Sequence, residues 1–356
     1  QTPNRVAIVG EAPGEQEERL DRPFVGASGQ ALRQILAEVG IPPEGCLITN
    51  VFNERPPANQ VGHFFLNKKN FDAAIKDWPK TNAPDSPCIP RLGPSQYINP
   101  DHVWHLHRLS DELKEFAPNV IIAVGGTALW ALTQTTGITK HRGAVALARL
   151  PGITGTKVIP TFHTAAMLRD WSLRPIIIAD CMKARKESLS PKFTTVERYI
   201  HLDPTVTDLY AFYSDYIADC SILSCDIETH PPLGLITCIG LAPSANRSLV
   251  IPLVDRGNPG YSYWEDPDEE VNALRFLQFV FASSQPYKIL GQNFTYDIQY
   301  LIKHMIEPTN YCLDTMLHHH ALFPEMPKSL GFMGSVYTNE ISWKTMRTSH
   351  TEKREE

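Results

Sequence analysis

Short apolar runs alternate with amphipathic stretches along the first half of the chain. Residues 5–10 (RVAIVG), 46–51 (CLITNV), 120–124 (VIIAV) and 157–161 (KVIPT) are each too short for a helix and lie among Gly, Pro and Asn, so they predict buried strands. Between them, residues 28–39 repeat Leu32, Ile35 and Leu36 at helical spacing and stop before Gly40. Asn99-Pro100-Asp101 supplies an N-cap, a first-turn proline and an acid for a helix running to Phe116. Strand–helix alternation predicts a parallel sheet covered on both faces, with ligands beyond the carboxyl ends of its strands. Residues 54–98 break this rhythm. They are rich in Pro, Asn and Lys, and carry Lys68-Lys69 among Phe64, Phe65 and Phe71, a pattern expected of a functional loop or an insertion.

The pattern changes after residues 188–192 (SLSPK), which read as a linker. A helix is predicted over 205–218, strands over 221–227, 235–241 and 248–253, an amphipathic helix over 268–281, a strand over 287–290 and a helix over 295–304. Strands first, then alternating helix and strand, predict a mixed sheet. Two α/β domains are the expectation, at 1–190 (with the insertion 54–98) and 197–356, joined by 191–196.

Composition adds exclusions. In 356 residues with 42% hydrophobic and 20% charged content, no run approaches the roughly 18 apolar residues of a membrane helix. No leader precedes Arg5, so a soluble protein of a bacterial or phage-infected cytoplasm, with no membrane partner, is expected. The first residue is Gln1, which suggests a fragment or a processed product. Seven scattered cysteines with no CxxC pair argue for reduced thiols. The net charge of −6 hides an asymmetry: residues 1–195 hold 22 basic against 18 acidic side chains, and the remainder 11 against 21. A mildly basic half suits phosphates, and an acidic half suits metal ions.

The predicted strand ends of the first half carry unusual residues: Gly10-Glu11-Ala12-Pro13-Gly14, Thr49-Asn50 and Thr161-Phe162-His163-Thr164, with Arg22-Pro23-Phe24 between the first two. Taken singly, Phe24 belongs to a core and His163 to a satisfied polar pair. Together, an aromatic face, an amide, an imidazole and a carboxylate are what a pocket for a flat heterocycle requires. GEAPGEQE, RPFVGASGQAL, ITNVFNERPP, NVIIAVGGTAL, ITKHRG and TFHTAAMLR stand in the order found in the uracil-DNA glycosylase superfamily. They resemble most its thermophilic-type, iron–sulfur branch, over residues 4–188 apart from the insertion. The resemblance implies a three-layer α/β/α fold and the following roles. Phe24 stacks on the extruded uracil, Asn50 bonds its Watson–Crick edge, and His163 donates to O2 as the base leaves. Glu11 belongs to the water-positioning motif, within the Gly10, Ala12, Pro13, Gly14 turn, and Thr49 precedes the amide. Gly125, Arg142 and Arg169 border the DNA backbone.

Two departures matter. The iron–sulfur relatives have a cysteine where Glu54 stands and another where Trp104 or His105 stands, so no iron–sulfur cluster is expected. The usual His-Pro is His163-Thr164 here.

The second half holds Asp226-Ile227-Glu228, two carboxylates on one face of a strand, and Gly291-Gln292-Asn293-Phe294-Thr295-Tyr296-Asp297. DIE with GQNFTYD resembles the proofreading 3′–5′ exonuclease of family A DNA polymerases, over about residues 197–345, with CLDTML and PKSLG as its continuation. The resemblance implies a mixed-sheet, ribonuclease H-like fold. Asp226, Glu228 and Asp297 would bind Mg²⁺ or Mn²⁺ for two-metal hydrolysis, Gln292 and Asn293 would touch the strand being cut, and Asp314 would be structural. The family's final YxxxD is absent, since residues 340–356 contain neither Tyr nor Asp. The exonuclease is therefore expected to be incomplete, and a parent chain is expected to continue into a polymerase domain. His318-His319-His320 point in different directions on a helix and are not read as a metal site. The expected function is uracil excision from DNA coupled to this exonuclease fold. The alternative is a non-catalytic module that senses uracil or grips DNA.

Overall fold

The computed structural model describes residues 5–76, 91–93, 96–194, 196–258, 260–310 and 312–340. They fall into two compact units: one from the stretch up to Phe193 together with that from Glu325 onward, the other Thr194–Pro324.

The first unit carries strands β1 (Val6–Gly10), β2 (Leu47–Asn50), β3 (Phe65–Leu66), β4 (Arg91–Gly93), β5 (Gln96–Ile98), β6 (Val120–Val124), β7 (Ala146–Leu147) and β8 (Lys157–Thr161). Five of them form one sheet in the order β2-β1-β6-β8-β7, parallel except for the edge strand β7. The sheet is buried on both sides, and side-chain alternation divides it into two cores. Ala7, Val9, Ile121, Ala123 and Val158 pack with Leu106, Leu109 and Leu113 of helix Trp104–Phe116 and with Trp130 of helix Gly126–Thr133. Val6, Ile8, Val120, Ile122 and Ile159 face the opposite way, onto Leu32, Ile35 and Leu36 of helix Ala27–Glu38 and Ile177 and Cys181 of helix Arg174–Glu187. Each fully buried side chain of this size contributes about 1.5–3 kcal/mol. Part of the 54–98 insertion forms helix Lys68–Ala74 and the antiparallel trio β3-β5-β4. The register pairs Gly10 with Asn50 and Val124 with Thr161, which brings the polar strand ends to one edge.

Helix Leu330–Tyr337 closes the first unit, whereas the sequence pattern assigned residues 325–340 to the second domain. The reason is a buried ion pair. Arg142 grips Asp180 through two nitrogens, and its remaining fork donates to Ser335 Oγ at 2.9 Å. Lys183 Nζ reaches the carbonyls of Gly143, Ser335 and Thr338. A charge pair held away from water needs all of these partners.

The second unit is a mixed six-stranded sheet of β9 (Tyr199–His201), β10 (Ile222–His230), β11 (Leu235–Ser244), β12 (Arg247–Pro252), β13 (Lys288–Gly291) and β14 (Cys312–Asp314). The order is β14-β13-β10-β11-β12-β9, with β10-β11-β12 antiparallel and the other pairs parallel. Leu223, Cys225 and Ile227 of β10 enter the core beside Phe276 and Leu277 of helix Pro267–Val280. Asp226 and Glu228 alternate outward. The expected 205–218 helix ends at Phe212 and continues as a π-turn, Tyr213–Ile217.

Candidate functional site: a polar slot at the sheet edge

Glu11, Ala12, Pro13, Gly14, Phe24, Asn50 and His163 line one cavity of ≈ 290 Å³. They come from four places along the chain, the turn after β1, the turn at Phe24, the end of β2 and the turn after β8.

Phe24 is 6% exposed and sits at φ +55°, a left-handed conformation that a bulky residue adopts only when its surroundings impose it. Arg33 Nε donates to the Phe24 carbonyl at 3.1 Å, and Glu17 Oε1 accepts from the Val25 and Gly26 amides at 3.0 and 2.7 Å. The Phe24 and His163 rings lie 23° from parallel, centroids 6.5 Å apart. Gly10 makes this arrangement possible. A Cβ there would fall 2.4 Å from Asn50 Oδ1 and 2.5 Å from Phe24 Cζ.

Asn50 is 6% exposed. Its carbonyl accepts from Arg108 at 2.6 Å, and Arg108 pairs with Glu112 at 2.6 Å. Among the described residues its side-chain amide has no hydrogen bond of its own, so its donor and acceptor remain for a ligand. Sequence reasoning missed Arg108 and Glu112, although their i,i+4 spacing on a predicted helix marks them as a pair.

His163 Nδ1 accepts from the Ala165 amide at 3.1 Å. That bond puts the proton of the neutral ring on Nε2 and makes Nε2 a donor. Burial lowers the imidazole below its ordinary range, against Glu11, which raises it. Gly125, at φ +92°, lies flat against the ring: a Cβ would meet His163 Cβ at 3.3 Å. The departure from His-Pro has a use here, because Thr164 Oγ1 donates to the Ser28 carbonyl at 2.8 Å and ties the His163 turn to the first turn of helix Ala27–Glu38. Glu11 Oε2 accepts from Thr127 Oγ1 at 2.5 Å, a second partner that the sequence pattern did not signal.

Two expected contributors stand elsewhere, and a third, Arg169, lies beside the slot. Thr49 Oγ1 bonds Glu112 at 2.8 Å, so it supports the Arg108 bracket and does not line the slot. Arg142 is 2% exposed and committed to Asp180, which removes it from the backbone-contacting role. Arg169 is exposed, near enough to lower the His163 pKa, and can reach solvent.

Among the described residues, a four-thiolate cluster does not fit the side chains present. Glu54 Oε2 and His105 Nε2 lie 3.9 Å apart, so the positions at which the resemblance expects cysteines bring a carboxylate to an imidazole. In the first unit the described cysteines are Cys46, whose thiol burial pushes up to about 11, and the fully buried Cys181.

In the second unit Asp226 and Glu228 are exposed on one face of β10. Asp297 is buried at the start of helix Thr295–Lys303, and its Oδ1 accepts from the Ile227 amide at 3.2 Å. Burial, then the charge of Asp226, raises its carboxyl to about 6. These hard oxygen donors suit a divalent cation. They are not gathered as tightly as a three-ligand cage. Among the described residues, the set of three metal-ligating side chains whose ligand atoms lie within 4.8 Å of one another is Glu54, His102 and His105. Asn293 sits at φ +53°, where its amide and that of Phe294 donate to Asp314 at 3.1 and 2.8 Å. Gln292 accepts from Thr315 Oγ1. Asp314 also caps helix Thr315–Leu322, in line with a structural part. The tail 341–356, whose sequence lacks the final motif, lies outside the described residues. No described helix is long and apolar enough to cross a membrane.

Several known proteins resemble this chain. A type-4 uracil-DNA glycosylase of Thermotoga maritima is 34% identical over 185 residues, covering 51% of this chain and 76% of the relative. A DNA polymerase of Bacillus phage SP01 is 26% identical over 232 residues, covering 63% of this chain but 21% of the polymerase. Among solved structures, the EXO domain of Aedes aegypti Nibbler matches 37% of this chain and 62% of its own at 19% identity, with a TM-score of 0.28. The family model described as uracil DNA glycosylase superfamily matches residues 2–186, the stretch that builds the slot, and the chain belongs to that superfamily.

Proposed function

We propose that the first unit hydrolyses the N-glycosidic bond of uracil in DNA, acting on a base flipped out of the strand. The observation that carries this reading is the convergence of Glu11, Phe24, Asn50 and His163 on one cavity. Phe24 stacks on the pyrimidine and Asn50 pairs with its Watson–Crick edge. As the bond from C1′ to N1 breaks, its electron pair passes to the base. The Nε2–H of His163 points at O2, where that charge develops, and a preformed neutral donor stabilises it without reorganising. Glu11, braced by Thr127, orients the water whose oxygen adds to C1′ and takes up the proton that water gives, while uracil leaves as the anion that His163 stabilises. Arg169 and the mildly basic first half attract the phosphates.

The second unit is a proofreading-type 3′–5′ exonuclease fold that came from the same kind of parent as the phage polymerase. Asp226, Glu228 and Asp297 would hold Mg²⁺ or Mn²⁺, and the cation would supply activation of water for phosphodiester cleavage.

The test uses a uracil-containing single-stranded oligonucleotide. Alkali-labile sites form with the wild type and not with Asn50→Ala or His163→Ala. Retained DNA binding by the wild type without any abasic product would replace catalysis by sensing.

A further inference from the structure

We propose that Glu54, His102 and His105 bind one zinc(II) ion, which pins the loop following Asn50 to the start of helix Trp104–Phe116. Three independent features converge. One ligand atom from each residue lies within 4.8 Å of the other two. His105 is wholly buried, and its Nε2 is without a hydrogen-bond partner among the described residues; His102 Nδ1 is in the same condition. Buried polar atoms are rarely left unsatisfied, so two orphans facing one carboxylate call for a common partner. Finally, the donors are right for one class of ion. Two imidazole nitrogens and a carboxylate oxygen select zinc and its transition-metal neighbours over Mg²⁺ and Ca²⁺, which prefer all-oxygen sets.

The dimensions agree. With metal–ligand bonds of about 2.0–2.2 Å, tetrahedral ligand atoms stand about 3.3–3.5 Å apart. His105 Nε2 and Glu54 Oε2 are at 3.9 Å, about half an ångström wider, and all three ligand atoms lie within 4.8 Å, distances that side-chain rotation closes on an ion. His102 lies in the turn Pro100–His102, three residues before His105, which sets both rings on one side, 13° from parallel. Glu54 is exposed, which leaves a path for the ion and room for a water as fourth ligand. A plain hydrogen bond from His105 to Glu54 is the competing account. It fits the 3.4 Å approach of the Asn53 amide to His105 Nδ1, a contact at the outer limit of hydrogen bonding that would have to relax on metal binding. It leaves His102 Nδ1 without a partner among the described residues, whereas the ion draws on both imidazoles.

The experiment is metal analysis of the full 356-residue chain after dialysis against chelator-treated buffer, followed by titration with Co²⁺ as a spectroscopic stand-in. One equivalent of zinc is expected, and Co²⁺ should give visible d–d bands without a thiolate charge-transfer band. Glu54→Gln changes an exposed residue and keeps the fold, which circular dichroism checks. It should weaken Co²⁺ binding by at least about tenfold, the low end of what even outer-shell partners contribute. His105→Ala should abolish binding, and His320→Ala, at an exposed histidine of the second unit, should leave it unchanged. Absence of zinc, Co²⁺ binding indifferent to Glu54→Gln, or an iron–sulfide chromophore would overturn the assignment.

Discussion

A single imidazole illustrates how much of the proposed chemistry is fixed before any substrate arrives. The Ala165 amide assigns the His163 tautomer, and burial holds the ring neutral below its ordinary range. Excision rate should therefore stay level as pH falls from 8 through 6.5. It should decline only below that, as protonation forces Nδ1 to give up the Ala165 bond; single-turnover rates across pH measure this. Stability follows the same sign. The unfolded chain binds a proton that the folded ring refuses, so His163 removes stability as pH falls through the window between its ordinary and lowered values. His163→Ala should cost about 10²–10³ in rate, as loss of one oxyanion donor does elsewhere. Gly10→Ala should be nearly as damaging without touching any reacting group, because the added methyl meets Asn50 and Phe24 inside 3 Å; excision assays beside thermal melts separate this from unfolding. The slot residues were legible from sequence because strand ends in a parallel sheet must converge. Arg142 was not, since a buried arginine and its aspartate, 38 residues apart, look like two surface charges until the fold joins them.

Among the elements, length decided what could be foreseen. The four parallel strands of the first sheet are short, largely apolar runs and were readable within a residue or two. Strands β7, β9 and β14 have two or three residues each, too few to display a period. Helix Leu330–Tyr337 was not predicted, and residues 325–340 were placed in the second domain, because what recruits it is the far-away pair Arg142–Asp180. Asp180→Ala would strand a buried guanidinium and should destabilise the first unit by about 3–5 kcal/mol, measured by urea unfolding. Ser335→Ala removes only the third partner and should cost less, about 1–3 kcal/mol, in the same assay.

For the whole molecule, the two proposed chemistries draw on separate residues. Asp226→Ala with Glu228→Ala should abolish any Mn²⁺-dependent 3′ trimming and leave uracil excision unaltered, while Asn50→Ala should do the reverse; paired assays on one labelled oligonucleotide report both. Excision should also weaken steeply with added salt if phosphate contacts carry the binding. The returning segment has a further consequence. Since residues 325–340 complete the first unit after the chain has built the second, a protease nick near residue 194 would sever the polypeptide without releasing the pieces. Such clipped material would co-elute as a single species in native chromatography and part into two bands under denaturant, and a truncated product ending at residue 324 would be born with an open flank prone to aggregation.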